Sequence, residues 1–116
     1  IRKRIVSDKN IYFTELNDGY YSNKKTSINI NEINGVIKTT TIDIRNKNEV
    51  LRGHIKGTKN VPMKTLLANP DKYLTGDKKY YIMCQSGLRS KSTVKKLTKQ
   101  GFNVVNLKGG FLGYRG

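Results

Sequence analysis

The chain has few of the residues on which several common protein chemistries depend. Its 116 residues include one cysteine, one histidine, two prolines and no tryptophan. A single cysteine cannot form an internal disulfide, and the sequence contains neither the Cys and His spacing of a zinc site nor a glycine-rich fingerprint for nucleotides. We therefore expect no bound metal, nucleotide or other cofactor.

Acidic residues are also scarce. Eight Asp and Glu residues stand against 23 Lys and Arg residues, which gives a formal net charge of +15. Such a charge is compatible with RNA or an anionic membrane surface as a partner. However, the basic residues are spread along the chain without a dense run, and no basic motif is interleaved with aromatic residues. We therefore do not predict a nucleic-acid partner.

The sequence also lacks an apolar stretch long enough to span a bilayer, and its length fits one globular domain. Because a reactive thiol has to stay reducible, we expect a reducing compartment and predict a cytoplasmic protein. Residues 1–25 form a basic N-terminal extension, in which Asn17-Asp18-Gly19 predicts a hairpin turn. The alternative is that this extension flanks a membrane anchor upstream of Ile1, which would place the domain at the cytoplasmic face of a membrane.

The most informative feature that is present is the sequence around Cys84. Residues 79–83 form a short apolar run that predicts a strand buried in a parallel sheet, with Cys84 at its carboxyl end. Ser90 is predicted to cap a helix, so the loop 85–89 leads into a helix N-terminus. The loop amides, together with Arg89, favour a thiolate over a neutral thiol. A lone cysteine is more often a small buried hydrophobe, but this combination favours a nucleophile.

The segment Cys84-Gln85-Ser86-Gly87-Leu88-Arg89-Ser90 is one of three motifs that follow one another along the chain. Upstream lie Ile42-Asp43-Ile44-Arg45 with Glu49, and then the segment from Gly53 to Pro62. Downstream lies Asn106-Leu107-Lys108-Gly109-Gly110-Phe111. Together these motifs resemble the signatures of rhodanese domains, the sulfurtransferases that carry sulfur as a cysteine persulfide. One departure is Val50, where many members have an aromatic residue.

The resemblance implies a rhodanese-like α/β domain over residues 26–116. Its central sheet would have five mostly parallel strands, with helices on both faces. The predicted elements, in chain order, are strand 27–30, helix 31–37, strand 40–44, helix 47–52, strand 58–61, helix 64–68, strand 79–83, helix 90–100, strand 103–107 and a final turn.

The same resemblance implies an enzyme that moves sulfane sulfur through a persulfide on Cys84. The donor would be a small anionic sulfur compound, either thiosulfate or a persulfide, and the acceptor a thiol, a protein thiol or cyanide. No cofactor is implied. The residues predicted to bind the donor are those of the loop, namely Gln85, Ser86, Gly87, Leu88 and Arg89. The predicted supporting residues are Asp43, Arg45 and Ser90.

The roles of the remaining polar candidates can be stated from the residues themselves. Asp43 and Arg45 stand at the end of a predicted strand, where they are expected to brace loops through hydrogen bonds or an ion pair. His54 is the only histidine with which Cys84 could form a catalytic pair. Beside Gly53 it is more typical of a packed turn residue, and we leave it out of the catalytic set.

Two other classes of function remain open. A phosphatase or arsenate reductase also surrounds an oxyanion with a cysteine and an arginine, but its loop has five residues between them. Here four residues separate Cys84 from Arg89, which favours a sulfur atom over a tetrahedral phosphoryl group. The other class is a non-catalytic or sulfur-relay interaction module. Such modules commonly lack the cysteine, whereas Cys84 is present in an intact loop.

Overall fold

The computed structural model describes residues 26–116. The N-terminal extension and its predicted hairpin at Asn17-Asp18-Gly19 lie outside the described residues. The strands are β1 (Ser27–Asn29), β2 (Thr41–Asp43), β3 (Lys59–Asn60), β4 (Tyr80–Met83) and β5 (Val104–Lys108). The helices are α1 (Gly35–Thr39), α2 (Lys47–Leu51), α3 (Met63–Ala68), α4 (Pro70–Tyr73), α5 (Leu88–Lys99) and α6 (Gly110–Gly113), and a 3₁₀ turn spans Ile30–Glu32.

The five strands form one sheet in the order β1-β5-β4-β2-β3, and every pairing is parallel. The predicted five-stranded architecture with helices around the sheet is therefore confirmed. Strand β4 lies in the centre, between β5 and β2. Because the strands are parallel, Cys84 at the end of β4 lies at the edge where the carboxyl ends of its neighbours meet.

Side chains alternate between the two faces of the sheet, as the pleat requires. Ile82 of β4 and Cys84, which directly follows β4, join one apolar cluster, which includes Val94 and Leu97 of α5. Met83 joins the other cluster, on the opposite face. Each face of β4 is thus covered, which explains why its sequence is a continuous apolar run rather than an alternating one.

The predicted start of the long helix is wrong by two residues. Helix α5 begins at Leu88, after Gly87 with φ +103°, and the Lys91 amide donates to the Gly87 carbonyl at 3.1 Å. Ser90 therefore lies inside the first turn and is not the N-cap. A glycine in the left-handed conformation turns the chain sharply, so the helix begins directly after Gly87, and no side chain of residues 26–116 caps it.

The short helices also differ from the prediction. The helix predicted at 31–37 is a 3₁₀ turn followed by α1, and α4 was not predicted. Pro70 stands in the first turn of α4, a position where proline is well accepted. Within residues 26–116, no helix has both the length and the hydropathy needed to cross a bilayer.

Candidate active site

The sulfur of Cys84 is held inside the turn that joins β4 to α5. The residue is fully buried, at 0% exposure. Its Sγ accepts hydrogen bonds from the amides of Gly87 at 3.0 Å and Ser90 at 3.2 Å, and it lies 3.3 Å from Ser90 Oγ. Both amides belong to the N-terminal end of α5, where the helix dipole favours negative charge. The predicted convergence of loop amides on the sulfur is present.

Other amides of the loop have no hydrogen-bond acceptor in the part of the chain that the structure describes. The backbone N–H groups of Gln85, Ser86 and Arg89 donate to no acceptor among residues 26–116. Of these, the amides of Gln85 and Ser86 are consecutive, as in the backbone concavities that bind anions. The loop therefore has two amides on the sulfur and three further amides without an acceptor among residues 26–116.

Helix α6 supports this loop from the end of β5. The Phe111 amide donates to the Cys84 carbonyl at 2.9 Å, and the Leu112 amide donates to the Gln85 carbonyl at 3.0 Å. This contact requires close backbone approach at Gly110, where a Cβ would lie 2.5 Å from the Cys84 oxygen. The sequence predicted only a final turn after the last strand, and in the structure this segment directly supports the loop 85–89.

Arg45 and Asp43 form a buried ion pair beside the loop, as predicted. Both side chains are 1% exposed, and Nη2 of Arg45 lies 2.8 Å from Oδ2 of Asp43. The remaining donors of Arg45 reach Gln85 Oε1 at 3.0 Å and the Gly53 carbonyl at 2.9 Å, and its guanidinium stacks on the Phe111 ring at 4.1 Å. One arginine thus joins β2, the active-site loop and α6.

Arg89 is oriented toward Glu49 of α2. Its Nη1 and Nη2 donate to the two carboxylate oxygens at 3.0 and 2.8 Å, in a bidentate pair. The hydrogen bonds from Arg89 hold the pKa of Glu49 below its usual value, and the carboxylate raises the pKa of Arg89. Arg89 is therefore a fixed positive charge next to the loop, and its predicted contact with the donor remains a prediction.

The other predicted loop residues differ in burial. Gln85 is half-buried, and its side chain is held by Arg45. Ser86 and Leu88 are exposed, with Leu88 at 75%. Gly87 is buried, and a Cβ there would lie 3.1 Å from the Gly109 amide nitrogen. The roles of these residues in substrate fit stay predictions.

Sequence reasoning missed two residues that shape the site. Asn106 is buried on β5, and its Oδ1 accepts a hydrogen bond from Ser90 Oγ. Asn60 donates to the carbonyls of Asp43 and Arg45 at 2.8 and 2.9 Å. A polar residue within the otherwise apolar run of β5 was a signal for Asn106, because a buried amide requires a partner.

His54 is exposed, so the expectation that it is packed in a turn is wrong. Gly53, which precedes His54, has φ +153°, and its carbonyl oxygen accepts a hydrogen bond from Arg45. Within residues 26–116, no group of three or more His, Cys, Asp or Glu side chains could hold a metal ion.

The fold and the loop agree with one family of proteins. The family model described as Rhodanese-like domain matches residues 26–116, which is most of the chain. The chain belongs to the rhodanese-like family. A solved structure of a rhodanese-like domain protein from Staphylococcus aureus has a TM-score of 0.67 and 30% identity, over 76% of this chain and 89% of that one.

Two relatives come from Bacillus subtilis (strain 168). The protein named "Uncharacterized protein YqhL" is 40% identical over 78 residues, which are 66% of this chain and 61% of the relative. The protein named "Putative sulfurtransferase YtwF" is 38% identical over 77 residues, which are 65% of this chain and 72% of the relative. The chain thus covers less than two thirds of the length of YqhL.

Replacing Arg89 with alanine is expected to slow the reaction of Cys84 with thiosulfate while costing only about 1 kcal/mol of stability, because the lost pair is partly exposed. The matched control is Glu49→Gln, which removes the same pair but keeps the positive charge. Rates of thiosulfate-dependent sulfur loading and urea unfolding at pH 7 measure the two effects. Equal loading rates in the two variants would contradict a role for the Arg89 charge.

The contribution of the Arg89–Glu49 ion pair to stability depends on pH. Because the pKa of Glu49 is lowered in the folded protein, its contribution to stability is present above the unfolded pKa and is lost as pH falls through the folded pKa. The stability difference between wild type and Arg89→Ala should therefore shrink in acid.

Proposed function

We propose that this domain is a sulfurtransferase that moves sulfane sulfur from thiosulfate or a persulfide donor to a thiol or cyanide acceptor. The observation that carries the proposal is the position of Cys84 Sγ, which accepts two amide hydrogen bonds at a helix N-terminus. Membership of the rhodanese-like family and the likeness to YtwF support the same reaction class. Because a reactive thiol has to stay reducible, we place the protein in the cytoplasm.

The first half-reaction forms a persulfide. The Cys84 thiolate attacks the outer sulfur of thiosulfate, a new S–S bond forms, and sulfite leaves with the electron pair of the bond that breaks. The outer sulfur of the resulting persulfide carries the negative charge. The amides of Gln85, Ser86 and Arg89 are available to stabilise that charge, and the guanidinium of Arg89 adds a fixed positive charge nearby.

The second half-reaction returns the free enzyme. An acceptor thiolate or cyanide attacks the outer sulfur, and the electron pair of the S–S bond returns to Cys84 Sγ. The two amides on Sγ then stabilise the leaving thiolate. The same hydrogen bonds therefore assist both half-reactions, which is what a ping-pong carrier needs.

A second candidate function is a protein-interaction module, with or without sulfur relay. Three exposed leucines favour it, namely Leu51, Leu88 and Leu112. They lie on α2, α5 and α6, the three helices that contact the active-site loop or its Arg89. A protein acceptor that docks there would deliver its thiol to Cys84. A phosphatase is disfavoured by the four-residue spacing between Cys84 and Arg89.

The test is intact-mass analysis of the purified protein after incubation with thiosulfate or cysteine persulfide. We expect a gain of one sulfur atom that cyanide or excess thiol removes. Cys84→Ser should gain none, because serine has a similar shape but its hydroxyl stays protonated. Absence of the adduct with every donor, in a folded protein with a titratable thiol, would contradict sulfur transfer and favour the interaction module.

A further inference from the structure

The hydrogen bonding of Ser90 connects the reactive sulfur to a buried amide on β5. Ser90 is 0% exposed and Asn106 is 4% exposed. The shortest contact of Ser90 Oγ is with Asn106 Oδ1. Its other polar neighbours are Cys84 Sγ at 3.3 Å and the Gly87 carbonyl at 3.2 Å. A buried hydroxyl with three polar neighbours must distribute a single proton among them.

The proton can be assigned from the chemistry of the neighbours. Asn106 Oδ1 is an acceptor only, and its contact with Ser90 is the shortest of the three. The hydroxyl proton therefore lies toward Asn106, and a lone pair of Ser90 Oγ faces Cys84. In this arrangement the thiol S–H donates to Ser90, as the 3.3 Å contact describes. A hydrogen bond made by the protonated form favours that form.

A thiolate requires the opposite arrangement. Once Cys84 has lost its proton, the Ser90 hydroxyl can stabilise the thiolate only by donating its proton to Sγ, and to do so it has to give up its hydrogen bond to Asn106. We propose that Asn106 is a positioning residue for Cys84, which holds the Ser90 proton away from the sulfur and so restrains ionisation of the resting thiol. The switch is a rotation about the Ser90 Cβ–Oγ bond, and no covalent bond changes.

This inference rests on the proposed function, in which Cys84 is the reactive group, and it adds a consequence for the second half-reaction. When the acceptor takes the outer sulfur, Sγ becomes a thiolate, and it then draws the Ser90 proton from Asn106. Asn106 would thus disfavour the thiolate at rest, while the amides of Gly87 and Ser90 favour it throughout the cycle. The balance between these bonds would set how readily Cys84 reacts.

The test is the rate at which iodoacetamide alkylates Cys84, which needs no sulfur donor and so remains informative even if sulfur loading fails. Asn106→Leu is expected to speed alkylation at pH 7 by about fivefold, since a hydrogen bond to an anion is worth more than one between neutral groups. The rise of the rate with pH should also move to lower pH. The Gly87 carbonyl still accepts the Ser90 proton in the thiol state, so Ser90 keeps a partner.

The charges around the loop do not change in this experiment. They come from β2, α2, α5 and the end of β5. Asp43 is paired with Arg45, and Glu49 with Arg89, while Lys108 is exposed. If an uncharged substitution at position 106 changes the alkylation rate of Cys84 or its dependence on pH, the change would therefore arise from hydrogen bonding.

The decisive control is the same substitution in a Ser90→Ala background. If Asn106 acts through Ser90, Asn106→Leu should have no effect there. A slower or unchanged rate in Asn106→Leu, or the same acceleration in both backgrounds, would overturn the proposal. Should Asn106→Leu fail to fold, Asn106→Asp keeps the shape and holds the Ser90 proton more strongly. It is expected to slow alkylation, and less so when Ser90 is absent, whereas faster alkylation would overturn the proposal.

Discussion

Replacing Arg45 with methionine is expected to lower the free energy of unfolding by about 3–5 kcal/mol, the usual cost of breaking a buried ion pair. Asp43 would remain as a buried carboxylate, 1% exposed, without its cation. The Gly53 carbonyl and Gln85 Oε1 would also lose their donor. Urea unfolding, followed by circular dichroism, measures the loss.

Two controls separate the ion pair from the other roles of Arg45. Arg52→Met removes an exposed arginine seven residues away along the chain and is expected to change stability by less than about 0.5 kcal/mol. Adding Asp43→Asn to Arg45→Met removes the uncompensated charge and should recover part of the stability. A double variant less stable than Arg45→Met alone would contradict the ion-pair explanation.

The centre of the sheet was predictable because β2, β4 and β5 are largely buried. A continuous apolar run such as 80–83, followed by a loop and an amphipathic helix, is a strong local signal for a parallel α/β unit. The helix starts were less predictable, since they depend on backbone conformation. Gly87 adopts the left-handed conformation at the end of the turn, so the helix begins at Leu88. No local sequence pattern distinguished this start from a helix capped by the Ser90 hydroxyl.

The chemistry of the loop was predictable to the extent that it is local. Cys84 and its amide donors lie within seven residues of one another, so their arrangement follows from the turn and helix alone. The partners of Arg89 and Ser90 are distant in sequence. Glu49 and Asn106 are 40 and 16 residues away, and only the strand order brings them together. Their roles could not be derived from spacing.

The contact between α6 and the loop leads to the second large effect, which is expected for Gly110→Ala. The new Cβ would lie 2.5 Å from the Cys84 oxygen and 2.6 Å from the Gln85 oxygen, and both are backbone atoms that cannot rotate away. Residue 110 also has φ +60°. Left-handed strain of about 1–2 kcal/mol and overpacking of about 1–3 kcal/mol together would remove much of the stability of a small domain.

Gly76→Ala is the matched control for this prediction. Gly76 has φ +63°, and nothing lies within 4 Å of the position that a Cβ would take there, so the substitution carries the strain without the clash. Urea unfolding should show the larger loss in Gly110→Ala. Intact mass should show that only Gly110→Ala loses sulfur loading, because the clash displaces the carbonyls that fix the loop around Cys84. Similar losses in both variants would mean that backbone conformation alone, and not support of the loop, makes glycine necessary at position 110.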